Sequence, residues 1–540
     1  MSPILLRMVG VVRRVAGRIP PLSPLLLAAY PATSLFSMNI DQLWPGALVR
    51  PVLEGVGFAA LAYVGIAAVY RSFLKGALLT SVLVLFYFFF GYGVDIFVFV
   101  GGTRSEPLMK YIFLIAGTLS IGGLAAFLWR HPPPERSNRV LDFTAALWLF
   151  FPVLGIAAHQ ATRHKWIPPA ATVSLGSAEI TGRPDIFFIL LDAYAREDVL
   201  TNLFHFDNGS FLKELRQRGF QIADQSKSNY SITFLSLAAT LNMRYLDDVV
   251  RENNRGSVAR DLPGEMIQNN AVQSLLKRGG YQIVHLPSGW AVTDHNPGAD
   301  VVMGHRSLHE FRAILFRPTI PGTLFAKSSQ RGWRELIYSN LEALERCQSI
   351  AGPKFVFAHF VCPHEPFVFY PDGGDPRPDF VKESYRKRWT KRRRYLDNLE
   401  FISRRILIAI DRIVKESKTD PIIILESDHG PSTLTFSPHP SAAQIHERMS
   451  NLCAMRLPGK HAPKLPQDFT PVNTFPFIFD TYFGTHFGRW KNRSYYCDPA
   501  TPYVHIDVTR CCPADQNPFK NIPAAKTIAF SGAPDPKGQE

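Results

Sequence analysis

The sequence predicts an α/β domain with a mostly parallel sheet and helices on both faces, preceded by five membrane-spanning helices. Two observations predict the sheet: apolar, β-branched runs typical of buried parallel strands, and the alternation of these runs with helical segments. A third observation predicts the membrane helices, because apolar stretches dominate the first third of the 540 residues. The chain is therefore long enough for a membrane domain and a separate globular domain.

Five apolar stretches have about the length that crosses a bilayer, which takes about 20 residues. They cover roughly residues 21–38, 53–70, 76–100, 111–129 and 140–159. Pro24 and Pro31 interrupt the first stretch, which transmembrane helices can accommodate. The alternative is a set of buried core helices, but five consecutive runs of this length with short loops are rare in soluble domains.

Basic residues are concentrated on one side of these stretches, namely Arg7, Arg13, Arg14, Arg18, Arg71, Lys75, Arg130, Arg136 and Arg139. The opposite side has only Arg50, Arg104 and Lys110. The positive-inside rule then places the N-terminus in the cytoplasm. Five spans deliver everything after residue 159 to the other face. We therefore expect an integral protein of the cytoplasmic membrane whose globular domain is periplasmic or extracellular, with no cleavable signal evident.

The net charge of +14 could indicate a nucleic-acid partner, but much of the excess lies beside the apolar stretches. Anionic membrane lipid is the more economical partner, and we expect no nucleic acid. All six cysteines lie in the second part of the chain, and none forms a CxxC metal pattern. Disulfides are permitted outside the cytoplasm, and buried free thiols are the equally open alternative.

The composition divides the chain into four parts. Residues 1–160 form the predicted membrane domain, 161–183 a linker, 184–516 the globular domain and 517–540 a tail rich in Pro, Ala and Lys that we expect to be disordered. In the globular domain the pattern predicts strands near residues 186–191, 220, 282–286, 354–359 and 421–426, with helices between them.

Two of these strands end in acidic residues. The run before Asp192 is apolar, and the run that starts at Ile422 ends in Ser427-Asp428-His429-Gly430. In open α/β sheets, ligands bind beyond the carboxyl ends of the strands. A carboxylate and an imidazole at that edge can share one metal ion. This arrangement predicts a metallohydrolase or a metal-dependent transferase.

A hydroxyl residue marks the start of a helix between the two acidic strand ends. A polar segment that begins at Ser228 changes to an apolar helical run at Thr233. The first turn of a helix favours an anion, and a hydroxyl beside a divalent metal can act as a nucleophile. The alternative is a plain helix cap, in which Ser231 or Thr233 bonds only the backbone.

These motifs, in this order, resemble the alkaline phosphatase/sulfatase superfamily. The preceding spans resemble its membrane-anchored branch, which includes lipoteichoic acid synthase and the lipid A phosphoethanolamine transferases. The resemblance implies an alkaline phosphatase-like fold for the catalytic domain. It also implies that Asp192, Thr233, Asp428 and His429 bind one divalent metal ion, Zn or Mn, with Thr233 as the nucleophile. Asp192 stands where the transferases usually have Glu.

Further histidines have less certain places in this resemblance. His364, in Cys362-Pro-His-Glu-Pro, stands where the family has a histidine that contacts the substrate phosphate. His439 and His446 compete for a later substrate contact, and neither fits well. His359 has either a direct role or that of a buried supporting residue. No cysteine or serine has the C/S-x-P-x-R context of type I sulfatases, so a sulfatase label would describe the fold more than the reaction.

The resemblance implies a transferase that moves a phosphoethanolamine or phosphoglycerol group from a membrane lipid donor to an envelope glycan or lipid acceptor, through a phospho-threonine. A phosphate or sulfate ester hydrolase on the same scaffold is the second hypothesis. A membrane scaffold with a degenerate site, which would bind no metal, is the third.

Overall fold

The computed structural model describes residues 20–41, 43, 45–101, 106–162, 183–252, 257–304, 310–325, 327–374, 387–459, 462–512 and 517–520. Most of the predicted linker and most of the predicted tail lie outside the described residues. The chain divides into two compact units. Unit 1 comprises Met1–Pro169, Ala259–Asn270 and His285–Asn340, and unit 2 comprises Ala170–Val258, Ala271–Val284 and Leu341–Glu540.

The helices of the first 162 residues belong to unit 1. They are α1 (Ser23–Met38), α2 (Val49–Tyr70), α3 (Phe73–Gly101), α4 (Glu106–Arg130) and α5 (Glu135–Thr162). The rest of the chain alternates helices and strands in the order β1 (Ile186–Leu191), α6 (Glu197–Phe204), α7 (Gly209–Gln217), β2 (Phe220–Ile222), α8 (Thr233–Asn242), α9 (Asp247–Glu252), α10 (Asp261–Gln268), α11 (Ala271–Arg278), β3 (Gln282–Leu286), α12 (Ala291–Asp294), β4 (Val301–Val302), α13 (Glu310–Phe316), α14 (Ile320–Leu324), α15 (Lys327–Leu344), β5 (Lys354–Phe360), α16 (Lys387–Glu416), β6 (Ile422–Glu426), α17 (Ala442–Met449), β7 (Cys453–Arg456), α18 (Thr474–Tyr482), β8 (Tyr495–Asp498) and β9 (Thr501–Asp507).

Four helices of the described chain, not the five predicted, are long and apolar enough to cross a membrane: Val49–Tyr70, Phe73–Phe99, Leu108–Arg130 and Glu135–Ala161. The prediction of a fifth span at residues 21–38 is wrong, because helix α1 has 16 residues. At 1.5 Å per residue it rises about 24 Å, short of a hydrocarbon core of about 30 Å. It also contains Pro31, which removes one helical hydrogen bond.

The four candidate spans expose apolar side chains instead of burying them. At most 22% of the residues in the most apolar window of any of these helices are buried. Leu61 is 78% exposed and Phe99 is 88% exposed. A helix that presents such side chains outward needs an apolar environment around it, which argues against the alternative of soluble core helices.

The two basic turns between spans lie together in unit 1. Lys75, at the turn between α2 and α3, donates a hydrogen bond from Nζ to the carbonyl of Trp129 at 3.4 Å. Tyr70 donates its hydroxyl to the carbonyl of Ala125 at 2.7 Å, and its ring packs edge-on against Trp129. The α2–α3 turn and the α4–α5 turn therefore lie at the same end of the helices.

A segment from the second half of the chain packs at the opposite end of these helices. Pro318, between α13 and α14, accepts a backbone hydrogen bond from Gly91 of α3 at 2.7 Å. Lys110, near the start of α4, donates to the carbonyl of Thr323 at 3.4 Å. Arg312 of α13 forms an ion pair with Glu54 of α2 at 2.7 Å. Part of the predicted globular sequence thus belongs to the same compact unit as the spans.

Unit 2 contains strands β2, β7, β6, β1 and β5, which are neighbours in this order in one sheet. Strand β1 pairs in parallel with both β5 and β6, whereas β7 pairs antiparallel with β6 and with β2. All residues of β1, β5 and β6 are buried, which explains why these strands are apolar almost throughout. The predicted α/β class is confirmed, and the sheet is mixed.

The close approach of Pro318 to α3 requires a glycine at position 91. A Cβ atom there would lie 2.7 Å from Thr323 Oγ1 and 2.9 Å from Pro318 Cα. We predict that Gly91→Ala lowers the stability of the purified full-length chain by about 1–3 kcal/mol, the usual cost of overpacking. Gly122→Ala is the matched control, because nothing lies within 4 Å of a Cβ at that helical position. Thermal unfolding in detergent measures both, and equal melting temperatures would contradict this packing.

Candidate active site

The sheet register brings the two strand-end carboxylates together. Leu190 of β1 lies opposite Glu426 of β6, and each of these residues precedes an aspartate by two positions. Asp192 and Asp428 therefore follow neighbouring parallel strands at the same edge of the sheet. Both are buried, with 4% and 2% of their surface exposed. Among the described residues, Asp192, Asp428 and His429 can bring one ligand atom each within 4.8 Å of one another.

The imidazole of His429 is held in one orientation. Its Nδ1–H donates to the carbonyl of Gly430 at 3.0 Å, because a carbonyl oxygen can only accept. In the neutral ring this contact leaves Nε2 with its lone pair free of a proton, and Nε2 lies 2.9 Å from Asp428 Oδ2. An outer contact that fixes the tautomer is what a metal-binding histidine needs.

Thr233 is the first residue of α8, and its side chain faces the same histidine. Thr233 Oγ1 lies 2.9 Å from His429 Nε2. No side chain caps α8, and the hydroxyl of Ser231 bonds the backbone of Cys497 instead. The contacts therefore differ from those of the alternative in which Ser231 or Thr233 serves only as a helix cap. The structure brings Thr233, Asp428 and His429 together with Asp192 nearby.

The site has the features of a cation site, judged from its own atoms. Asp192 Oδ1 and Asp428 Oδ2 are buried, and neither has a hydrogen-bond donor among the described residues. A buried carboxylate oxygen without a donor is costly unless a positive charge is close by. Two carboxylates, an imidazole nitrogen and a hydroxyl form a hard, oxygen-rich donor set, which suits Zn²⁺ or Mn²⁺.

The pKa values of the cluster follow from burial and from one cation. Burial, and next to it the Arg448 guanidinium, lowers the pKa of His429, which favours the neutral ring that can bind a metal. Burial would raise the pKa of Asp428, but a protonated His429, and after it the charge of Arg448, would outweigh burial and hold this pKa well below its usual range. The carboxylate therefore stays ionised.

Arg448 is a component of the site that the sequence interpretation missed. It is almost fully buried and donates from Nε to the Ser231 carbonyl at 2.7 Å and from Nη1 to the Gly430 carbonyl at 2.8 Å. Its Nη2 lies 2.8 Å from His429 Nε2. Burial lowers its pKa to about 10, so it remains charged at pH 7. No motif marks this arginine, because it reaches the site from the last turn of α17.

Sterics explain why the Ser-Asp-His-Gly motif ends in glycine: there is no room for a side chain at position 430. A Cβ atom on Gly430 would lie 2.0 Å from the Glu447 carbonyl oxygen and 2.9 Å from that of Ser450. The amide of Gly430 donates to the Arg448 carbonyl at 2.7 Å. Helix α17 therefore passes directly over the strand end, and this contact positions Arg448.

His359 and His364 both lie near Asp192. His359 of β5 is buried, and its Nε2 is 3.4 Å from Asp192 Oδ2, so it contacts a member of the cluster. The backbone amide of His364 donates to the Asp192 carbonyl at 3.1 Å, which places this residue beside the site. Its ring is partly exposed, and Nδ1–H donates to the Glu365 carbonyl at 2.7 Å.

His439 and His446 belong to other surroundings. His446 Nε2 lies 2.6 Å from Asp198 Oδ2, and its ring packs edge-on against Phe519. His439 is exposed, and its backbone bonds the hydroxyl of Ser437. Neither histidine is part of the cluster formed by Asp192, Asp428 and His429.

Comparison with known proteins identifies the domain. The sulfatase family model matches residues 184–485, more than half of the chain. A search of curated proteins returned no significant match. Among solved structures, the chain is similar to the C-terminal periplasmic domain of EcEptC from Escherichia coli in complex with Zn, at 12% identity and a TM-score of 0.41, covering 63% of this chain and 96% of that one. It is also similar to the phosphonate monoester hydrolase of Agrobacterium radiobacter, at 12% identity and a TM-score of 0.37, covering 58% and 80%.

The cluster predicts a bound divalent cation. We expect the purified full-length chain to retain Zn or Mn after dialysis, and Asp192→Asn to weaken that binding by a factor of about 10 or more, because it removes a charged ligand. Asp198→Asn is the control, since Asp198 pairs with Arg196 and His446 outside the cluster. Elemental mass spectrometry during chelator titration measures both variants. Equal metal retention in the two variants, or none in the wild type, would contradict the assignment.

Proposed function

The chain belongs to the sulfatase family, and we propose that it transfers a phospho-head group from a membrane lipid to an envelope glycan or lipid. The head group is of the phosphoethanolamine or phosphoglycerol type, and Thr233 is the nucleophile. The proposal is supported above all by one contact, the 2.9 Å between Thr233 Oγ1 and His429 Nε2 at the edge of a buried carboxylate cluster.

The reaction has two displacements at phosphorus. The Thr233 hydroxyl loses its proton to solvent and Oγ attacks the phosphodiester; the ester bond to the diacylglycerol oxygen breaks, and that oxygen leaves with a proton from His364. An acceptor hydroxyl or amine then attacks the phospho-threonine, and the Thr233 oxygen leaves and regains its proton. A divalent cation supplies Lewis acidity at such a site, which lowers the pKa of a neighbouring hydroxyl and offsets phosphoryl charge. Asp192, Asp428 and His429 would hold it.

The residues around Thr233 have separable roles in this proposal. Arg448 supplies a buried positive charge next to the reacting oxygen, where negative charge develops on the phosphoryl group. It also donates to the Ser231 and Gly430 carbonyls, which fixes the position of the Thr233 segment relative to the strand end. His364 is bound through its backbone amide to the Asp192 carbonyl, its ring is partly exposed, and it is proposed to protonate the leaving alcohol.

A lipid donor is supported by the membrane-like part of the chain. The four candidate spans are an even number, so the segments before Val49 and after the last span lie on the same side. Two of the connections between spans are basic, which favours the cytoplasmic side for both. The α2–α3 connection carries Arg71 and Lys75, and the α4–α5 connection carries Arg130, Arg136 and Arg139. The catalytic domain is then periplasmic or extracellular.

The segment packed at the outer ends of the spans also supports this partner. Ile314, Phe316 and Phe325 of the α13–α14 region are 49%, 37% and 67% exposed. In unit 1 this region contacts α3 and α4 through Pro318 and Thr323. Exposed apolar side chains beside candidate spans suit the interfacial region of a bilayer.

Removing the nucleophile tests the proposal directly. We expect Thr233→Ala to lower diacylglycerol release from fluorescent phosphatidylethanolamine or phosphatidylglycerol by a factor of about 10³ or more, because it removes the oxygen that forms the phosphoryl intermediate. Thr240→Ala is the control on the same helix, since that hydroxyl donates to the Ser236 carbonyl within the helix. Both variants should keep their metal.

The fate of the head group separates the hypotheses. Its appearance on an added acceptor supports transfer, and free head group with every acceptor supports the hydrolase. Full activity in Thr233→Ala, or no turnover of any lipid or ester by metal-loaded protein, would contradict the proposed enzyme and favour a degenerate scaffold.

The role of His364 can be tested through the leaving group. We expect His364→Gln to slow the release of a lipid alcohol by about 10²–10⁴, the usual contribution of a general acid. A nitrophenyl phosphodiester needs no proton on its leaving group, so the same variant should cleave it nearly as fast as the wild type. His439→Gln, at an exposed position outside the cluster, is the control. Equal losses with both substrates would show that His364 acts in binding or folding instead.

A further inference from the structure

Two adjacent cysteines, Cys511 and Cys512, lie shortly after the end of strand β9. The sulfur atoms of Cys511 and Cys512 lie 2.7 Å apart in a hydrogen-bond contact, and no disulfide joins them. Cys512 has a φ of +56°, a left-handed backbone that residues other than glycine rarely adopt. Strain of this kind, when it persists in a structure, points to a functional constraint at the site.

We propose that Cys511 and Cys512 form a reversible vicinal disulfide. The other cysteines of the described chain, Cys347, Cys362, Cys453 and Cys497, are buried, and Cys511 is the partly exposed one. The geometry therefore offers one thiol of the pair to a reagent in solution and keeps the second within bonding reach of the first. This inference is independent of the chemistry at Thr233. It shares with the proposed function only the location outside the cytoplasm, where disulfides persist.

The oxidation balances as a thiol–disulfide exchange with an oxidised dithiol oxidoreductase or oxidised glutathione. The Cys511 thiolate attacks the disulfide of the oxidant, forming a mixed disulfide and releasing one thiolate. The Cys512 thiolate then attacks Cys511 Sγ, which closes the ring and releases the second thiolate. The protein loses two protons and two electrons, and the oxidant gains both electrons.

The order of attack follows from the surroundings of the two thiols. Burial, and next to it the hydrogen bond with Cys511, raises the pKa of Cys512 to about 12. The Cys512 thiol also lies 3.2 Å from the Ala442 carbonyl. Once the Cys511 sulfur is in a mixed disulfide, Cys511 no longer raises the pKa of Cys512. Cys512 then ionises more readily, so the second attack becomes easier after the first.

Such a ring would be easy to reduce, which makes it unsuitable as a structural crosslink. Adjacent Cα atoms are about 3.8 Å apart, below the separation of about 4.4–6.8 Å that relaxed disulfides adopt. Strained disulfides have more oxidising potentials and are the labile ones. The ring also closes no long loop, so it adds little entropic stabilisation.

The pair contacts the segment that leads to Thr233. Lys227 donates from Nζ to the Cys511 carbonyl at 2.7 Å. The next residue, Ser228, donates its hydroxyl to the Asp428 carbonyl at 2.5 Å. Cys511 also packs against the apolar cluster of Met449, Tyr496 and Val508, and Met449 is the neighbour of Arg448. A change in the backbone around Cys511 therefore has a short route of contacts to the active-site strand.

A single tryptic peptide tests the proposal. Cleavage after Arg510 and Lys520 isolates Cys511 and Cys512 from every other cysteine. We expect purified full-length protein treated with oxidised glutathione to give this peptide lighter by two hydrogen atoms and without iodoacetamide adducts. Dithiothreitol should restore two alkylation sites. In the Cys511→Ser control, Cys512 should never show the two-hydrogen loss.

Other outcomes overturn the proposal. Two alkylated cysteines after oxidation, or a crosslink from either cysteine to Cys497 or to glutathione as the stable product, would exclude the ring. Acid quenching and alkylation of intact cells forms a second arm. A ring that forms in the purified protein but is absent in cells would contradict the proposed location and leave the thiol chemistry intact. Its presence in a Thr233→Ala strain would separate it from the transferase proposal.

Discussion

Keeping two carboxylates ionised and adjacent in a buried place is the constraint on which the active site depends. Asp192 and Asp428 follow neighbouring parallel strands, so the sheet register alone sets their separation. Burying charge is costly unless it is compensated. Here the Ala193 amide donates to Asp428 Oδ1 at 3.2 Å, Arg448 adds a positive charge, and the oxygens that still have no donor among the described residues create the demand for a cation.

Thr233, the proposed nucleophile, lies in a segment that is tied to the same strand end by hydrogen bonds to the Asp428 carbonyl. The Asp428 carbonyl accepts hydrogen bonds from the hydroxyls of Ser228, before the Thr233 helix, and of Ser236, within its first turn. Arg448 adds a third tie through the Ser231 carbonyl. Since these bonds join the segment on both sides of Thr233 to the strand end at Asp428, the hydroxyl is held in place before any substrate arrives. Such preorganisation is where catalytic sites gain most of their electrostatic advantage.

The membrane-like part of the chain and the family domain are not separate along the sequence. Residues 285–340 fall within the range matched by the sulfatase family model, yet they belong to the compact unit that contains the spans. The contact of Gly91 with Pro318 and the ion pair of Arg312 with Glu54 hold them there. A fragment that begins at residue 184 would carry this segment without the helices on which it packs, and its exposed apolar side chains would favour aggregation.

The sequence by itself determined the features that depend on local pattern: the apolar spans, the buried strands that end in Asp192 and Asp428, and the helix that begins at Thr233. Patterns of hydrophobicity and the residues at strand ends are local properties, so they can be identified from the amino-acid sequence without the structure. Tertiary structure decided what depends on distant segments meeting. Arg448 reaches His429 only because α17 crosses over Gly430, and His359 meets Asp192 only because β5 lies beside β1. The first apolar stretch shows where prediction from composition fails. Its hydropathy predicted a membrane span, but the helix that it forms is too short to cross the hydrocarbon core.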